Sequence, residues 1–354
     1  MIISRTPFRV SFFGGGTDYP AWYLKHGGQV LSTAIDKYCY ITLRHLPPFF
    51  EHRIRAVYSK MEICQSYEEL KHPAIRETLR FLKFERNLEI HHDGDLPARS
   101  GMGSSSSFTV GLLHALYALK GQMPNKEQLA RESIHIEQKL IGETVGSQDQ
   151  CAAAYGGFNH IIFSPDGEIE VRPLTLSLPR LTELSDHLML FYTGIMRTAS
   201  DVAQTYVENL GAKDELMRTM HAMVDDGIKL VQGSRCICGF GELLHMAWQA
   251  KRSLSPNVSN SVVDDLYERA RENGAIGGKL IGAGGGGFLL LFVPPSAQNR
   301  VRESLCELLH VPFNFCRHGS QIIFYEPSRQ DFSQYELDRT SREIKAFREL
   351  GNRG

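Results

Sequence analysis

Hydrophobic positions in the first half of the chain follow two periods, one typical of strands and one typical of helices. Val30–Leu46 alternates apolar and polar residues in its second part, and Asn87–Asp93 is short and half apolar, so both predict strands. A helix ending near Gly121 is predicted by apolar residues at three- and four-residue spacing: Phe108, Leu112, Ala115, Leu116 and Leu119.

Two further segments complete this mixed pattern. Asn125–Leu140 carries apolar residues among charges, and Asn125 suits the N-cap of a helix. Gly156–Leu174 predicts a hairpin that turns at Pro165–Gly167. Strands and helices in alternation predict an α+β domain.

The second half begins with an apolar strand, Asp186–Gly194, and continues as a helix-dominated run over Thr198–Asn273 with a break near Gly233–Gly241. Gly277–Pro294 then predicts two strands around four consecutive glycines. Tyr335–Leu350 predicts a charged surface helix. We place a domain boundary near residue 185, giving domains 1–185 and 186–354, although no linker-like composition marks it.

Composition narrows the class of protein. The chain has 354 residues, 42% hydrophobic and 22% charged, which is typical of a globular protein long enough for two domains. A net charge of −1 supplies no overall basic field, so nucleic acid is not expected as a partner, although local patches could exist.

Seven scattered cysteines lack the spacing of a zinc site and suggest reduced thiols. Without a leader-like start or an apolar run of about 18 residues, we expect a cytoplasmic protein with no membrane partner.

The segment Leu96–Phe108 places glycines before four serines, Ser104 to Ser107, which fall in the first turn of the predicted helix. The first turn of a helix has N–H groups without intrahelical partners and the positive end of the helix dipole, so it attracts anions. Glycines let a phosphate approach the backbone, and serine hydroxyls can add hydrogen bonds or face a magnesium ion. The alternative is that the serines only cap a core helix. The pattern favours a phosphate site.

Two other glycine-rich stretches flank this one in the chain. Thr6–Pro20 holds three glycines after a short strand, with Asp18 beside them to bind sugar-like hydroxyls, unless the stretch is only a tight turn. Gly282–Gly287 matches Gly-x-Gly-x-x-Gly, but a strand follows it where a dinucleotide fold needs a helix, so we reject that fold. A loop whose backbone approaches a ligand or another loop remains.

One acidic pair suits phosphoryl transfer. Glu137 lies on the predicted helix and Asp149 lies in a Gly-Ser-Gln loop, so one carboxylate could hold magnesium and the other could orient a hydroxyl. The alternative is that Glu137 is a solvated helix residue and Asp149 caps the next helix. This segment alone does not decide.

Together these elements resemble the GHMP kinases, the family of galactokinase, homoserine kinase, mevalonate kinase and phosphomevalonate kinase. The resemblance covers nearly the whole chain. It rests on three motifs in order: Pro7–Val10 with Thr17–Tyr19, Pro97 with Gly101–Ser105, and Lys279 with Gly282–Gly287. It implies an N-terminal domain like ribosomal protein S5, a C-terminal ferredoxin-like α+β domain, and ATP with Mg²⁺ as cofactors.

The resemblance also implies roles for particular residues. Asp149 would be the catalytic residue, with Arg9 nearby to keep it ionised, and Glu137 with Ser104 or Ser105 would hold Mg²⁺. Glu137 precedes Asp149 by twelve positions, as in galactokinase-like members. The ATP phosphates would lie on Pro97, Ser100, Gly101, Met102, Gly103, Ser104, Ser105 and Ser106.

The motifs further imply a sugar phosphate as acceptor. Gly15 and Gly16 stand where galactokinases carry Glu-His, which puts galactose in doubt. The combination is most similar to kinases of D-glycero-D-manno-heptose 7-phosphate and to fucokinase-like relatives; a sugar and ATP sensor without activity and a homodimer are left open. The expected acceptor residues are Gly15, Gly16, Thr17, Asp18, Arg99, Arg197, Lys279, Gly284 and Gly285.

Overall fold

A computed structural model describes residues 1–47, 49–50, 52–84, 86–196, 199–207 and 210–326. The strands are β1 (Ile2–Phe13), β2 (Gly28–His45), β3 (Ile54–Val57), β4 (Met61–Cys64), β5 (Leu88–Gly94), β6 (Phe158–Phe163), β7 (Ile169–Pro173), β8 (Leu188–Tyr192), β9 (Gly277–Leu280), β10 (Phe288–Phe292), β11 (Leu309–His310) and β12 (Gln321–Tyr325). The helices are α1 (Pro20–His26), α2 (Pro73–Phe81), α3 (Ser104–Leu119), α4 (Lys126–His135), α5 (Gln148–Tyr155), α6 (Leu178–Asp186), α7 (Ala199–Val207), α8 (Asp214–Gln232), α9 (Cys238–Arg252), α10 (Ser261–Glu272) and α11 (Gln298–Ser304). A π-helical turn, Ile136–Ile141, extends α4.

The first sheet has eight strands, with β12-β1-β2-β5-β3-β4 in order and the β6–β7 hairpin attached to β2. The long strands β1 and β2 are antiparallel, from Ile2 opposite Leu43 to Phe13 opposite Leu31. Helix α3 packs on them closely because Gly111 faces the sheet: a Cβ there would lie 2.8 Å from Thr6 Oγ1. Ser4 Oγ donates to the Gly111 carbonyl at 2.8 Å. This contact holds the middle of α3 against the sheet.

The second sheet is antiparallel, in the order β11-β8-β10-β9. The predicted strand pair around the glycines is confirmed, since β9 and β10 pair from Leu280 opposite Leu289 to Gly277 opposite Phe292. Every residue of β10 is buried, and α9 packs against β9. The expected α+β class is therefore correct.

Aromatic residues join the two sheets. The Phe12 and Phe13 rings at the end of β1 meet the Phe240 ring of α9 edge-on, with centroids 5.3 and 5.0 Å apart. Phe292 of β10 lies behind Phe240, at 6.2 Å. Edge-to-face pairs of this kind add to the energy of apolar burial. The glycines that follow Phe13 are thus held at the junction between the sheets.

The chain crosses the predicted domain boundary more than once. Helix α6, which the sequence pattern did not predict, spans Leu178–Asp186; Ser177 caps it by accepting from Arg180 N. Strand β12 returns to the first sheet and pairs with β1, so residues 321–325 belong by hydrogen bonding to the N-terminal half. The boundary near 185 remains a prediction. The predicted helix Tyr335–Leu350 lies outside the described residues.

One buried carboxylate ties three strands of the first sheet together. Glu89 on β5 has a side chain only 2% exposed and pairs with Arg44 of β2 and Arg55 of β3. Burial alone would raise the pKa of Glu89, but hydrogen bonds from His91 and the two arginines outweigh it and lower the pKa to about 2. This cluster stabilises the sheet far from the glycine-rich loops.

Other expectations from composition can also be compared with the structure. All seven cysteines are free, and Cys39, Cys64, Cys151 and Cys316 are buried, as expected for reduced thiols. Within the described ranges, none of the helices combines the length and apolar character needed to cross a lipid bilayer.

Candidate active site

A cavity of about 230 Å³ lies between the two sheets, where all three glycine-rich stretches meet. Its walls come from the loop after β1, the loop before α3, the segment between α4 and α5, the end of α9 and the loop between β9 and β10. Most of the residues that line it have polar or charged side chains. The cavity is therefore suited to a charged, hydroxylated ligand.

The loop before α3 presents backbone amides to the cavity. Gly101 and Gly103 have positive φ values of 83° and 75°, a conformation that favours glycine, and Gly103 is the N-cap of α3. Gly103 has no side chain to cap the first turn, so amides of that turn are available to a ligand. Ser104, Ser105 and Ser106 all border the cavity. The geometry is that of an anion site at a helix N-terminus.

The loop between β9 and β10 packs directly against the loop before α3 (residues 95–103), hereafter the phosphate loop. A Cβ on Gly101 would lie 2.4 Å from the Ile281 carbonyl oxygen, and one on Gly287 would lie 2.1 Å from that of Ser100. Such distances exclude a side chain at either position. The late glycines therefore let two loops touch, which is one of the two roles that the sequence left for them.

Asp149 is held by a two-pronged ion pair with Arg9. Arg9 Nε and Nη2 each donate to one carboxylate oxygen at 2.7 Å, and Nη1 donates to the Gly101 carbonyl at 2.7 Å. The Arg9 side chain is 5% exposed and that of Asp149 is 24% exposed. Asp149 lies in the first turn of α5. The Gly-Ser-Gln sequence had predicted a loop at this position. The predicted contact between the two side chains is present.

Asp18 lies at the base of the cavity. Its Oδ1 accepts from Gly16 N at 2.9 Å and its Oδ2 from Gln148 Nε2 at 3.0 Å. Burial raises the pKa of Asp18, and the nearby charge of Asp149 adds to the rise, while the hydrogen bonds lower it in part. Gly146 makes room for this carboxylate, because a Cβ there would lie 1.9 Å from Oδ2. Asp18 can thus receive a ligand hydroxyl at a fixed position.

Glu137 lies behind the serines and does not border the cavity. It is fully buried in the π-helical turn, where its Oε2 accepts from Ser106 Oγ at 2.9 Å and from Gln150 Nε2 at 2.5 Å. Oε1 accepts no hydrogen bond from the described residues. Burial raises the pKa of Glu137 to about 7, despite partial compensation by neighbouring hydrogen bonds. A buried carboxylate with an unused oxygen suits a cation.

Two lysines complete the wall of the cavity beside the loop between β9 and β10. Lys251 lies at the end of α9, and its Nζ donates to the Gly282 carbonyl. Lys279 lies on β9, and its Nζ donates to the Phe12 carbonyl at 2.9 Å. Both residues are only 5% exposed. Burial lowers the pKa of Lys251 to about 8, and burial together with the charges of Lys251 and Arg9 lowers that of Lys279 well below its usual range.

Comparison with known proteins identifies the family to which these loops belong. The model of the GHMP kinases N terminal domain matches residues 69–157, and that of the GHMP kinases C terminal domain matches residues 234–311. The chain therefore contains both domains of the GHMP kinases. It is a sugar kinase, a phosphotransferase that uses ATP as donor and an alcohol group as acceptor.

Named relatives of this GHMP kinase act on several sugars. It is 29% identical over 318 residues to D-glycero-alpha-D-manno-heptose 7-phosphate kinase of Campylobacter jejuni. The alignment covers 86% of this chain and 93% of that relative. It is 25% identical over 355 residues to the L-fucokinase/L-fucose-1-P guanylyltransferase of Bacteroides fragilis, covering 87% of this chain and 36% of that protein. The kinase therefore spans about a third of the length of this second relative.

Solved structures show the same fold. A D-glycero-D-manno-heptose 1-phosphate kinase from Bacteroides thetaiotaomicron superposes with a TM-score of 0.74 at 24% identity, over 92% of this chain and 100% of that one. A putative sugar kinase from Campylobacter jejuni superposes with a TM-score of 0.67 at 27% identity, over 91% and 98% of the two chains.

Most residues expected at the site of this GHMP kinase border the cavity. These are Arg9, Gly15, Gly16, Asp18, Arg99, Gly101, Gly103, Ser104, Ser105, Ser106, Asp149 and Lys279. Arg197 lies outside the described residues. Its contribution to the acceptor site stays a prediction.

Several expected ligand residues instead shape the loops. The Thr17 side chain is fully buried, with its hydroxyl 2.8 Å from the Gly14 carbonyl and 2.9 Å from that of Gln29, so it turns away from the cavity. Ser100 Oγ donates to the Pro97 carbonyl at 2.7 Å. The remaining members of this group are Met102, which accepts from Arg9 N through its carbonyl, and Gly284 and Gly285, which pack against Val258.

Sequence reasoning missed Lys251 and Gln148, which border the cavity of the kinase, and assigned no metal role to Ser106. Gln148 stands next to Asp149 in the chain, which was a usable signal. Lys251 offered none, because a lysine in the last turn of an amphipathic helix normally complements the helix dipole in solvent. Ser104 and Ser105 were expected beside Glu137, but the structure brings Ser106 there.

Proposed function

We propose that this GHMP kinase transfers the γ-phosphoryl group of ATP to the anomeric hydroxyl of D-glycero-D-manno-heptose 7-phosphate and releases the 1,7-bisphosphate. The observation that carries transfer to a hydroxyl is the Arg9–Asp149 pair beside the phosphate loop: a Cβ on Gly103 would lie only 3.4 Å from Asp149 Oδ2. The choice of acceptor is supported by likeness to the Campylobacter jejuni heptose kinase over nearly its full length. We assign the activity to the cytoplasm, as the free cysteines suggest.

Asp149 orients the acceptor hydroxyl and receives its proton as the phosphoryl group moves. Arg9 fixes the carboxylate in one orientation through two charge-assisted hydrogen bonds. Amides of Gly101–Ser106 donate toward the phosphates, where charge develops during transfer. The residues thus divide the work between proton acceptance and charge stabilisation.

The residues present also fit a magnesium ion. Glu137 offers an unused carboxylate oxygen and Ser106 a hydroxyl, both oxygen ligands of the kind Mg²⁺ prefers. Kinases commonly hold Mg²⁺ through one or two carboxylates together with substrate phosphates and waters, so a single glutamate suffices. When bound, the ion would neutralise phosphate charge. Glu137 and Ser106 would hold it against the first turn of α3.

We assign the binding of the acceptor sugar to Asp18 and to the cations near it. Asp18, positioned by Gly16 N and Gln148, accepts from a sugar hydroxyl, and Arg99 with Lys279 offers positive charge for the phosphate of the sugar. Gly15 and Gly16 leave space where galactokinases carry larger residues. This arrangement favours a phosphorylated sugar that is longer than galactose.

L-Fucose is the second candidate acceptor, favoured by the likeness to the fucokinase of Bacteroides fragilis. The deciding experiment measures ADP release by the purified kinase with D-glycero-D-manno-heptose 7-phosphate, unphosphorylated heptose, L-fucose and galactose. We expect kcat/KM to be highest for the heptose 7-phosphate. Higher kcat/KM for fucose would assign the kinase to fucose, and no ADP release with any of the four sugars would contradict the proposed acceptor.

A further inference from the structure

Lys251 and Lys279 form an unusual pair of cations in the wall of the active cavity. They come from different elements, the end of α9 and strand β9, and each is almost completely buried. Each Nζ has a single described hydrogen-bond acceptor, a main-chain carbonyl: that of Gly282 for Lys251 and that of Phe12 for Lys279. An ammonium group can donate three hydrogen bonds, so donors remain on both lysines.

Within the described part of the chain, neither lysine forms an ion pair with a carboxylate. The two acids nearby are already engaged, Asp149 by Arg9 and Asp18 by Gly16 N and Gln148. The positive charges of Arg9 and of each lysine repel one another. A buried charge without a partner is costly, and folding retains such groups where a ligand supplies the partner.

The charges in the cavity define the ligand. Four cationic side chains, Arg9, Arg99, Lys251 and Lys279, border the cavity together with three acids, Asp18, Glu143 and Asp149. The N-terminus of α3, which attracts anions, lies in the same wall. A dianionic group with several oxygens matches two ammonium groups that each keep unused donors. In an enzyme that moves phosphoryl groups, that ligand is a phosphoryl group.

We propose that Lys251 and Lys279 jointly bind one phosphoryl group inside the cavity. Two ligands of this enzyme have such a group: ATP has its terminal phosphoryl group, and the acceptor sugar has its phosphate. The acceptor source rests on the proposed function, whereas the nucleotide source rests only on the membership of the GHMP kinase family. Both lysines are then binding residues, and Lys251 lies outside the three sequence motifs.

Binding studies with single lysine variants test the proposal. We would measure the Kd of Lys251→Met and Lys279→Met for MgAMP-PNP, MgADP, heptose 7-phosphate and unphosphorylated heptose by titration calorimetry. Loss of one charge-assisted contact should weaken binding by about 10- to 100-fold. A loss confined to MgAMP-PNP relative to MgADP identifies the terminal phosphoryl group of ATP. A loss confined to heptose 7-phosphate relative to heptose identifies the acceptor phosphate.

The matched control is Lys229→Met, which removes an exposed lysine that pairs with Asp226 at the surface. It should bind all four ligands as the wild type does. Lys251→Met and Lys279→Met should keep or raise the unfolding temperature of the free protein, because each removes an unpaired buried charge. A lower unfolding temperature with Kd values within twofold of wild type would assign the lysines a structural role and overturn the proposal.

The wild-type enzyme supplies a second measurement that needs no variant. Above pH 8 much of Lys251 is neutral, since burial lowers its pKa to about 8, so a bound phosphoryl group should draw a proton onto it. Calorimetry at pH 9 in buffers of different ionisation enthalpy should show proton uptake with the ligand that the pair binds. No uptake with any phosphorylated ligand would overturn the proposal. If wild type fails to bind heptose 7-phosphate, the proposed acceptor fails, while the nucleotide titrations still decide the role of the lysines.

Discussion

Replacing Arg9 with lysine should slow phosphoryl transfer while preserving the fold and the binding of nucleotide. The arginine fork makes two hydrogen bonds to Asp149 and one to the Gly101 carbonyl, all at 2.7 Å. A lysine at this position keeps the positive charge but has a single ammonium group on a flexible stem. It can reach at most one carboxylate oxygen at a time, so Asp149 would lose its fixed orientation.

The size of the effect follows from the bonds lost. A hydrogen bond to a charged group contributes about 1.5–3 kcal/mol, and at least one of the two that orient Asp149 disappears. If that contribution is made in the transition state, kcat falls about 10- to 150-fold. The KM for ATP should change little, because the site that we propose for the nucleotide phosphates is the loop before α3 and not Arg9.

Steady-state ADP release, measured with a coupled enzyme assay, gives kcat and KM for Arg9→Lys. The chain offers a matched control in Arg172→Lys. Arg172 also donates two hydrogen bonds to one carboxylate, that of Glu170, at 2.6 Å each, but both side chains are 57% exposed. The control should be active and stable as wild type, because exposed pairs contribute little. A kcat of Arg9→Lys within twofold of wild type would refute the idea that the fork orients Asp149.

Four further predictions concern separate parts of the molecule. Asp149→Asn should bind ATP normally and lose about 10²- to 10⁴-fold in kcat; near-normal turnover would show that Asp149 is not the proton acceptor. Gly146→Ala should raise the KM for the sugar at least about tenfold with nucleotide affinity unchanged, because its methyl group displaces Asp18; an unchanged sugar KM would mean that Asp18 does not bind the acceptor. Glu137→Gln should raise the Mg²⁺ concentration for half-maximal activity, and an unaltered requirement would remove Glu137 from the metal site. Glu89→Gln should destabilise the fold by about 2–3 kcal/mol at pH 7, measured by urea unfolding. The pKa of Glu89 is lowered in the folded state from 4.5 to about 2. The difference in free energy of unfolding between wild type and variant should therefore be complete above pH 4.5 and should vanish as the pH falls through 2. A difference that does not change with pH would contradict this role of Glu89.

Local sequence patterns were enough to predict the parts of the site that depend on one element. Helix α3 begins at Ser104 as predicted, because glycines before an apolar period of three and four mark a helix start. Asn125 caps α4 as expected, accepting from Gln128 N at 2.7 Å. The hairpin of β6 and β7 turns where Pro165–Gly167 predicted it.

Features that depend on contacts between distant segments could not be predicted in this way. The choice of Ser106 over Ser104 and Ser105 follows from the rotation of α3 relative to Glu137, which no local pattern encodes. The burial of Lys251 depends on the packing of α9 against other elements, β9 and α8 above all. Strand β12 pairs with β1 from the other end of the described chain, and pairing over such a separation leaves no short-range signal.

The most direct test of the account is the position of the new phosphate on the product. Purified kinase, ATP, Mg²⁺ and D-glycero-D-manno-heptose 7-phosphate should yield a compound with two phosphorus resonances, one coupled to the anomeric proton and one to the protons at carbon 7. That result is the one predicted for transfer to the anomeric hydroxyl. A second phosphate on any other carbon, or no new phosphorus resonance while fucose gains one, would contradict the central claim.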